Sequence, residues 1–170
     1  TIVVGYVPTS SYNGLARVYK YDAAGSPNVW PQSGSDIAPV SSTSFGESVA
    51  ISSDGNHIAV GCISCIANVG SAYVYSLSSG SWNQKGSRLD GYQVDGQFGR
   101  SVSINNDATL LAVGGNSADT GYVLVYQFVS SDWQEIIEIN GESPGDQFGW
   151  KVRLSEDGEI LAISAIDNDG

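Results

Sequence analysis

Three observations predict an all-β chain, a β-propeller of four-stranded antiparallel blades. A unit recurs about every 50 residues, each unit holds four short apolar runs, and turn residues separate the runs. The recurrence is anchored by Phe45-Gly46, Phe98-Gly99 and Phe148-Gly149, at spacings of 98 − 45 = 53 and 148 − 98 = 50. Twenty-one glycines in 170 residues and no apolar period of 3.6 beyond a turn or so leave helices incidental.

The first strand of each unit follows the Phe-Gly pair and alternates. Val49 and Ile51 share a face, as do Val102 and Ile104, and Val152 and Leu154. Second strands read Ile58-Ala59-Val60-Gly61, Leu111-Ala112-Val113-Gly114 and Leu161-Ala162-Ile163-Ser164, and the chain opens on a further copy, Ile2-Val3-Val4-Gly5. Third strands place Ala16, Val18, Ala72, Val74, Val123 and Val125 on one face and Tyr19, Tyr21, Tyr75, Leu77, Tyr126 and Phe128 on the other. Both faces are apolar, as expected of a blade sandwiched between neighbours. Fourth strands begin at Trp30, Trp82 and Trp133.

This gives a partial blade at 1–33, blades at 45–90 and 98–140, and a partial blade at 148–170, about three blade-equivalents in one propeller segment. A propeller normally closes with at least about four blades. The expectation is therefore a window on a longer propeller, or a chain whose open ends are covered by neighbouring blades or copies.

A formal charge of −11 with seven Lys and Arg provides no basic patch for phosphates and argues against a nucleic-acid partner. With no apolar run of about 18 residues and no basic-then-apolar leader at Thr1, membrane insertion is not expected, and any targeting signal would be removed or lie outside the segment.

Phe-Gly, a Val-x-Ile strand, a turn and an apolar strand ending in Ala-Val-Gly together resemble the FG-GAP repeat. That repeat builds the propellers of integrin α subunits and of microbial and algal surface proteins, and the similarity is closest to the latter variant. It covers nearly the whole chain. The resemblance implies a surface or exported protein and a binding face formed by the loops after the second and fourth strands. Metal-binding members carry an Asp-x-Asp-x-Asp-Gly loop between the first two strands. Here that loop reads Ser53-Asp54-Gly55-Asn56, Asn106-Asp107-Ala108-Thr109 and Glu156-Asp157-Gly158-Glu159, too few carboxylates for the six or so oxygens calcium takes. Asp-Gly is instead a hairpin signal, so no metal or other cofactor is expected.

Tyr6, Tyr12 and Tyr92 fall in the predicted loops without counterparts in other units, where they could stack on a sugar or anchor a protein partner. Trp150 stands where the other units have Glu47 and Arg100, and is the fourth candidate binding residue. Cys62 and Cys65 form a CxxC that a zinc site or a thiol-redox centre would need more partners to use; a local disulfide and two thiols are the remaining readings, the disulfide favoured. Asp95 and Asp146, ahead of Gln-Phe-Gly at what read as matching positions, suggest loop shaping, and His57 is the lone histidine. With no catalytic constellation in view, the expected function is a non-enzymatic interaction or structural module. A carbohydrate-binding propeller and a fragment of a propeller enzyme are the alternatives.

Overall fold

The computed structural model describes residues 1–7, 13–24, 29–38, 42, 44–116 and 119–167. Its strands form four antiparallel sheets in chain order. The first pairs β1 (Ile2–Tyr6) with β2 (Leu15–Tyr19), and bridges from Ile37, Gln32 and Val29 back to the β2 segment add a broken outer strand. In the second, β3 (Phe45–Ile51), β4 (His57–Cys62), β5 (Ser71–Ser78) and β6 (Ser81–Gln84) lie in sequence order, with β7 (Leu89–Asp90) continuing the outer edge against β5. The third is β8 (Phe98–Ile104), β9 (Leu110–Gly115), β10 (Tyr122–Val129) and β11 (Asp132–Asn140). The last joins β12 (Lys151–Leu154) to β13 (Leu161–Ser164). We call these blades 1 to 4. No helix among the described residues is long and apolar enough to cross a membrane.

The blades stack face to face, and each buries large side chains on the face toward the preceding blade and small ones on the face toward the next. Ala59, Ala72 and Val74 of blade 2 meet Phe98, Leu111, Val113, Tyr122 and Trp133 of blade 3 in one core. Ala16 and Val18 of blade 1 meet Phe45, Ile58, Val60, Tyr73 and Tyr75 of blade 2 in another. Ala112, Val123 and Val125 of blade 3 meet Val152 and Leu154 of blade 4 in the third. The alternation of strand side chains thus supplies a leading face that is bulky and a trailing face that is small.

Small trailing faces let backbones touch. Gly99 takes φ +90°, and its carbonyl lies so close to Gly61 of the preceding blade that a Cβ there would sit 2.0 Å from the oxygen. The same approach recurs between Gly46 and Gly5 at 1.9 Å and between Gly149 and Gly114 at 2.1 Å. Beside each contact the Phe carbonyl presses on the glycine before the third strand: Gly14, Gly70 and Gly121 would carry a Cβ 2.0 to 2.2 Å from it. The Phe98 N–H donates to Val69 at 3.3 Å and the Phe148 N–H to Thr120 at 3.2 Å. Phe45 and Phe98 are fully buried.

Two further seams run parallel. At the outer edge the Trp82 indole N–H donates to the Ser33 carbonyl at 2.9 Å over Gly34, and Trp133 donates to the Lys85 carbonyl at 2.8 Å over Gly86. At the first hairpin turns, Ser53 and the Asp54 N–H bond to the Asn106 side chain, and the Asn106 N–H donates to the Glu156 carbonyl at 2.9 Å.

Gly61 needs no left-handed backbone, so Gly61→Ala tests the close approach alone, whereas Gly80, at φ +77° with nothing within 4 Å, tests conformation alone. Urea unfolding is expected to show a loss of roughly 3 kcal/mol for Gly61→Ala and roughly 1 kcal/mol for Gly80→Ala. Equal losses would contradict the contact as the cause.

Candidate functional site

The structure separates the sequence candidates. Tyr6 is not a loop residue: it ends β1, pairs with Leu15, and occupies the position that Cys62 and Gly115 hold in the next two blades. Its 57% exposure, like that of Ile2 and Val4, belongs to the leading face of blade 1, the face that carries Ile58 and Val60 buried in blade 2. Trp30 is exposed on the same blade, its ring 5.2 Å from Tyr21, while its counterpart Trp133 is buried. Tyr12 lies outside the described residues.

Trp150 fits the repeat after all. Position three of each unit, Glu47 in β3, Arg100 in β8 and Trp150 just before β12, forms a ladder across three successive blades. The Arg100 guanidinium lies 3.0 Å from the Glu47 carboxylate on one side and 4.2 Å from the Trp150 ring centroid on the other. Their shared repeat position was the signal for this contact, which comparing identities alone missed.

Tyr92 lies between two complete blades and is still 59% exposed. Its ring rests 4.7 Å from that of Tyr122, which is buried, and its hydroxyl donates to Glu138 at 2.7 Å. Burial, then the Glu138 bond, raises the Tyr92 pKa, and burial pushes Tyr122 up to about 12, so both phenols stay neutral. The loop that carries Tyr92, residues 91–97, hydrogen-bonds to the loop after β4 through the Asp95 N–H and the Asn68 carbonyl at 3.0 Å. From these adjoining loops Ile66 and Val94 also project, at 46% and 68% exposure. Sequence reasoning passed over both; isolated apolar residues inside Gly- and Asp-rich loops were the available sign.

Cys62 and Cys65 are joined by a disulfide. It closes onto Ile66, Ala67 and Asn68, three successive residues at φ between 51° and 67°, an arrangement that non-glycine residues resist. The turn is held by Gly70 N–H to the Cys65 carbonyl at 2.9 Å and aims the Asn68 and Val69 carbonyls at the next blade. The two acidic loop residues are not equivalent. Counting back from Phe98 and Phe148, Asp95 matches Gly145, both at positive φ, and Asp146 matches Gly96. Asp146 is buried and accepts the Ser143 N–H at 3.0 Å.

On the opposite side, the ends of β3, β8 and β12 with Thr1 line a polar concavity of about 200 Å³ that includes Arg153 and Glu156. The nearby turn carboxylates serve their own hairpins. Asp107 is held below the usual carboxylate range by the Thr109 hydroxyl and Asp157 by the Ser155 hydroxyl; Asp54, despite burial, is held low by Ser52 and Asn56. Among the described residues no group of three His, Cys, Asp or Glu could hold a metal ion. His57, 2.8 Å from the Ser76 hydroxyl, has its pKa lowered chiefly by burial.

No family model matches the chain, and no curated protein does. Solved structures do. TolB from Acinetobacter baumannii superposes with a TM-score of 0.57 at 12% identity over 99% of this chain and 37% of that one. The Dos1 propeller gives 0.51 at 12% identity over 91% and 38%. A candidate 6-phosphogluconolactonase from Bacteroides uniformis gives 0.53 at 14% identity over 94% and 49%. The chain spans less than half the length of each.

Two measurements follow from these sites. Lowered folded pKa values place the stabilising contributions above the ordinary ones. Stability is expected to fall as pH drops below 6.5 through protonation of His57, and to fall again below 3.8 through Asp54, Asp107 and Asp157. Urea midpoints against pH read both steps, and His57→Gln removes the first. Replacing both cysteines by serine is expected to cost about 2 kcal/mol, the closure entropy of a loop this short. An unchanged urea midpoint would show that the turn holds itself.

The chain therefore has the β-propeller fold, with two four-stranded blades between two smaller sheets.

Proposed function

We propose that the chain is a non-enzymatic interaction module of an exported or surface protein, with repeats of the FG-GAP type, and that it binds a protein partner through the loops after the second and fourth strands. One observation carries the reading. Ile66, Tyr92 and Val94 are exposed on two hydrogen-bonded loops that complete blades flank, so no neighbouring blade accounts for their exposure. Tyr92 is already fixed by Tyr122 and Glu138, and a rigid aromatic loses little entropy on binding. The disulfide of the first loop suits an oxidising compartment. The turn carboxylates, engaged within their hairpins, support a calcium-independent module.

A carbohydrate is the second reading, favoured by the pairing of an exposed tyrosine ring with the Glu138 carboxylate. The third reading is a fragment of a propeller enzyme whose catalytic residues lie outside this segment.

Selection of a displayed peptide library against the whole chain tests the proposal. The expected result is binders that Tyr92→Ala weakens by about tenfold or more, the size of a buried aromatic anchor. Binders blind to Tyr92, Ile66 and Val94 would overturn it. A Tyr92-dependent signal in a glycan screen would move the assignment to the carbohydrate.

A further inference from the structure

The outer edges of blades 1 to 3 are built differently. In blade 1 the outer segment touches the β2 segment only through single bridges from Ile37, Gln32 and Val29, and Pro31 lies among them. In blade 2 β6 ends at Gln84, the Lys85 N–H turns in to the Val74 carbonyl at 2.8 Å, Gly86 takes φ +76°, and pairing resumes only at Leu89 and Asp90. Short, broken edges that carry lysine or proline keep a sheet from pairing with another chain. In blade 3 β11 runs over nine residues without proline, glycine or lysine, its one irregularity the bulge that leaves Ile136 without a partner on β10.

The strand on the far side of β10 fixes which way the backbone of β11 points. The Phe128 N–H donates to the Thr109 carbonyl at 2.8 Å, so residues 124, 126 and 128 of β10 turn their backbone groups toward β9. Their partners on β11, Glu138, Glu135 and Trp133, therefore turn N–H and C=O outward. Asp132 accepts the Trp133 N–H at 2.9 Å, whereas among the described residues no hydrogen bond reaches the outward groups of Glu135 and Glu138. Both glutamates share the face of Leu124 and Tyr126, turned toward the complete blade 2, and both are exposed. Neither joins an ion pair among the described residues, and Glu138 accepts the neutral Tyr92 hydroxyl. Blades stack on one another's faces, so an outer edge points away from its neighbours whichever blades precede or follow.

We infer that the outer edge of β11 is a docking site for an extended basic segment of a partner polypeptide, which joins blade 3 as a fifth, antiparallel strand. This goes beyond the loop-face reading and does not rest on it. Backbone groups supply the attachment, and charge selects the occupant. Across β10, Glu135 and Glu138 stand opposite Tyr126 and Leu124, two residues apart, because the bulge takes up Ile136. A regular strand on the outer side likewise meets the two carboxylates with alternate residues, about 7 Å apart. Lysine or arginine at those positions pairs with both carboxylates while its own N–H and C=O bond the glutamate backbone. A second copy of the chain is the poorer occupant, since it brings the same two glutamates and a further net charge of −11.

Fluorescence anisotropy with the whole chain tests this, using a short labelled peptide of alternating lysine and threonine. One control carries glutamate in place of lysine. The other keeps the lysines but is methylated on their backbone nitrogens, so that it retains the charge and loses the donors. The lysine peptide is expected to bind about tenfold more tightly than either control. Glu135→Pro, which removes an outward N–H, is expected to abolish that advantage, and Glu135→Gln, which keeps the N–H, to reduce it about threefold. Circular dichroism checks that Glu135→Pro is folded, with Glu135→Gln as the milder substitution. A methylated peptide that binds as tightly as its parent would show charge attraction alone and overturn the inference. So would equal binding of the lysine and glutamate peptides, absence of binding, indifference to both substitutions, or sedimentation showing a dimer of the chain that Glu135→Pro dissociates. Because the readout lies on the outer edge of β11 and not on the loops, its failure would leave the loop-face proposal standing.

Discussion

The structure depends on one close contact, the carbonyl of a Phe-Gly glycine set against a side-chain-free glycine of the preceding blade. At a separation that leaves 1.9 to 2.1 Å to an imagined Cβ, no other residue fits without moving the backbone. Everything else in the stack is arranged at that spacing. Small trailing faces let the sheets approach, bulky leading faces fill what remains, and the tryptophan and turn seams repeat the same step at the outer and inner edges. Since the blades pack on their neighbours, stability in such an array is approximately a sum of blade and interface terms. The contribution of one glycine is then a contribution to two blades.

The direction of the stack gives the chain two unlike ends. The leading face of blade 1 exposes Ile2, Val4 and Tyr6, whose counterparts in the following blade are buried. The trailing face of blade 4 carries Lys151, Arg153 and Ser164. Exposed apolar surface in a repeat protein has two origins, an uncovered blade face or a loop that projects from covered blades, and a neighbouring blade can cover only the first. That distinction sets Tyr6, which ends β1, apart from Tyr92, which lies in a loop.

The fold was legible because a period of about 50 residues and strand alternation are both written directly in residue identity. Phe45, Phe98 and Phe148 mark the same structural event three times. The site was legible only in part. Tyr92 stood out as an aromatic in a loop, but Tyr6 stood out equally, since a sequence does not show where β1 ends. The Glu47, Arg100 and Trp150 ladder was hidden because residues about 50 apart become neighbours only once the blades are stacked. Asp95 and Asp146 misled for a related reason: a one-residue offset within loops of equal length exchanges a left-handed position for a buried carboxylate.

The central claim is that blades are coupled through the Phe-Gly contact, and native-state hydrogen exchange on Gly99→Ala, whose Cβ would stand 2.4 Å from the Ser71 carbonyl of the preceding blade, tests it most directly. The account predicts lost protection both in β8 and β9 and in β4 and β5 of the preceding blade, with β12 and β13 affected less. Loss confined to blade 3 would contradict it.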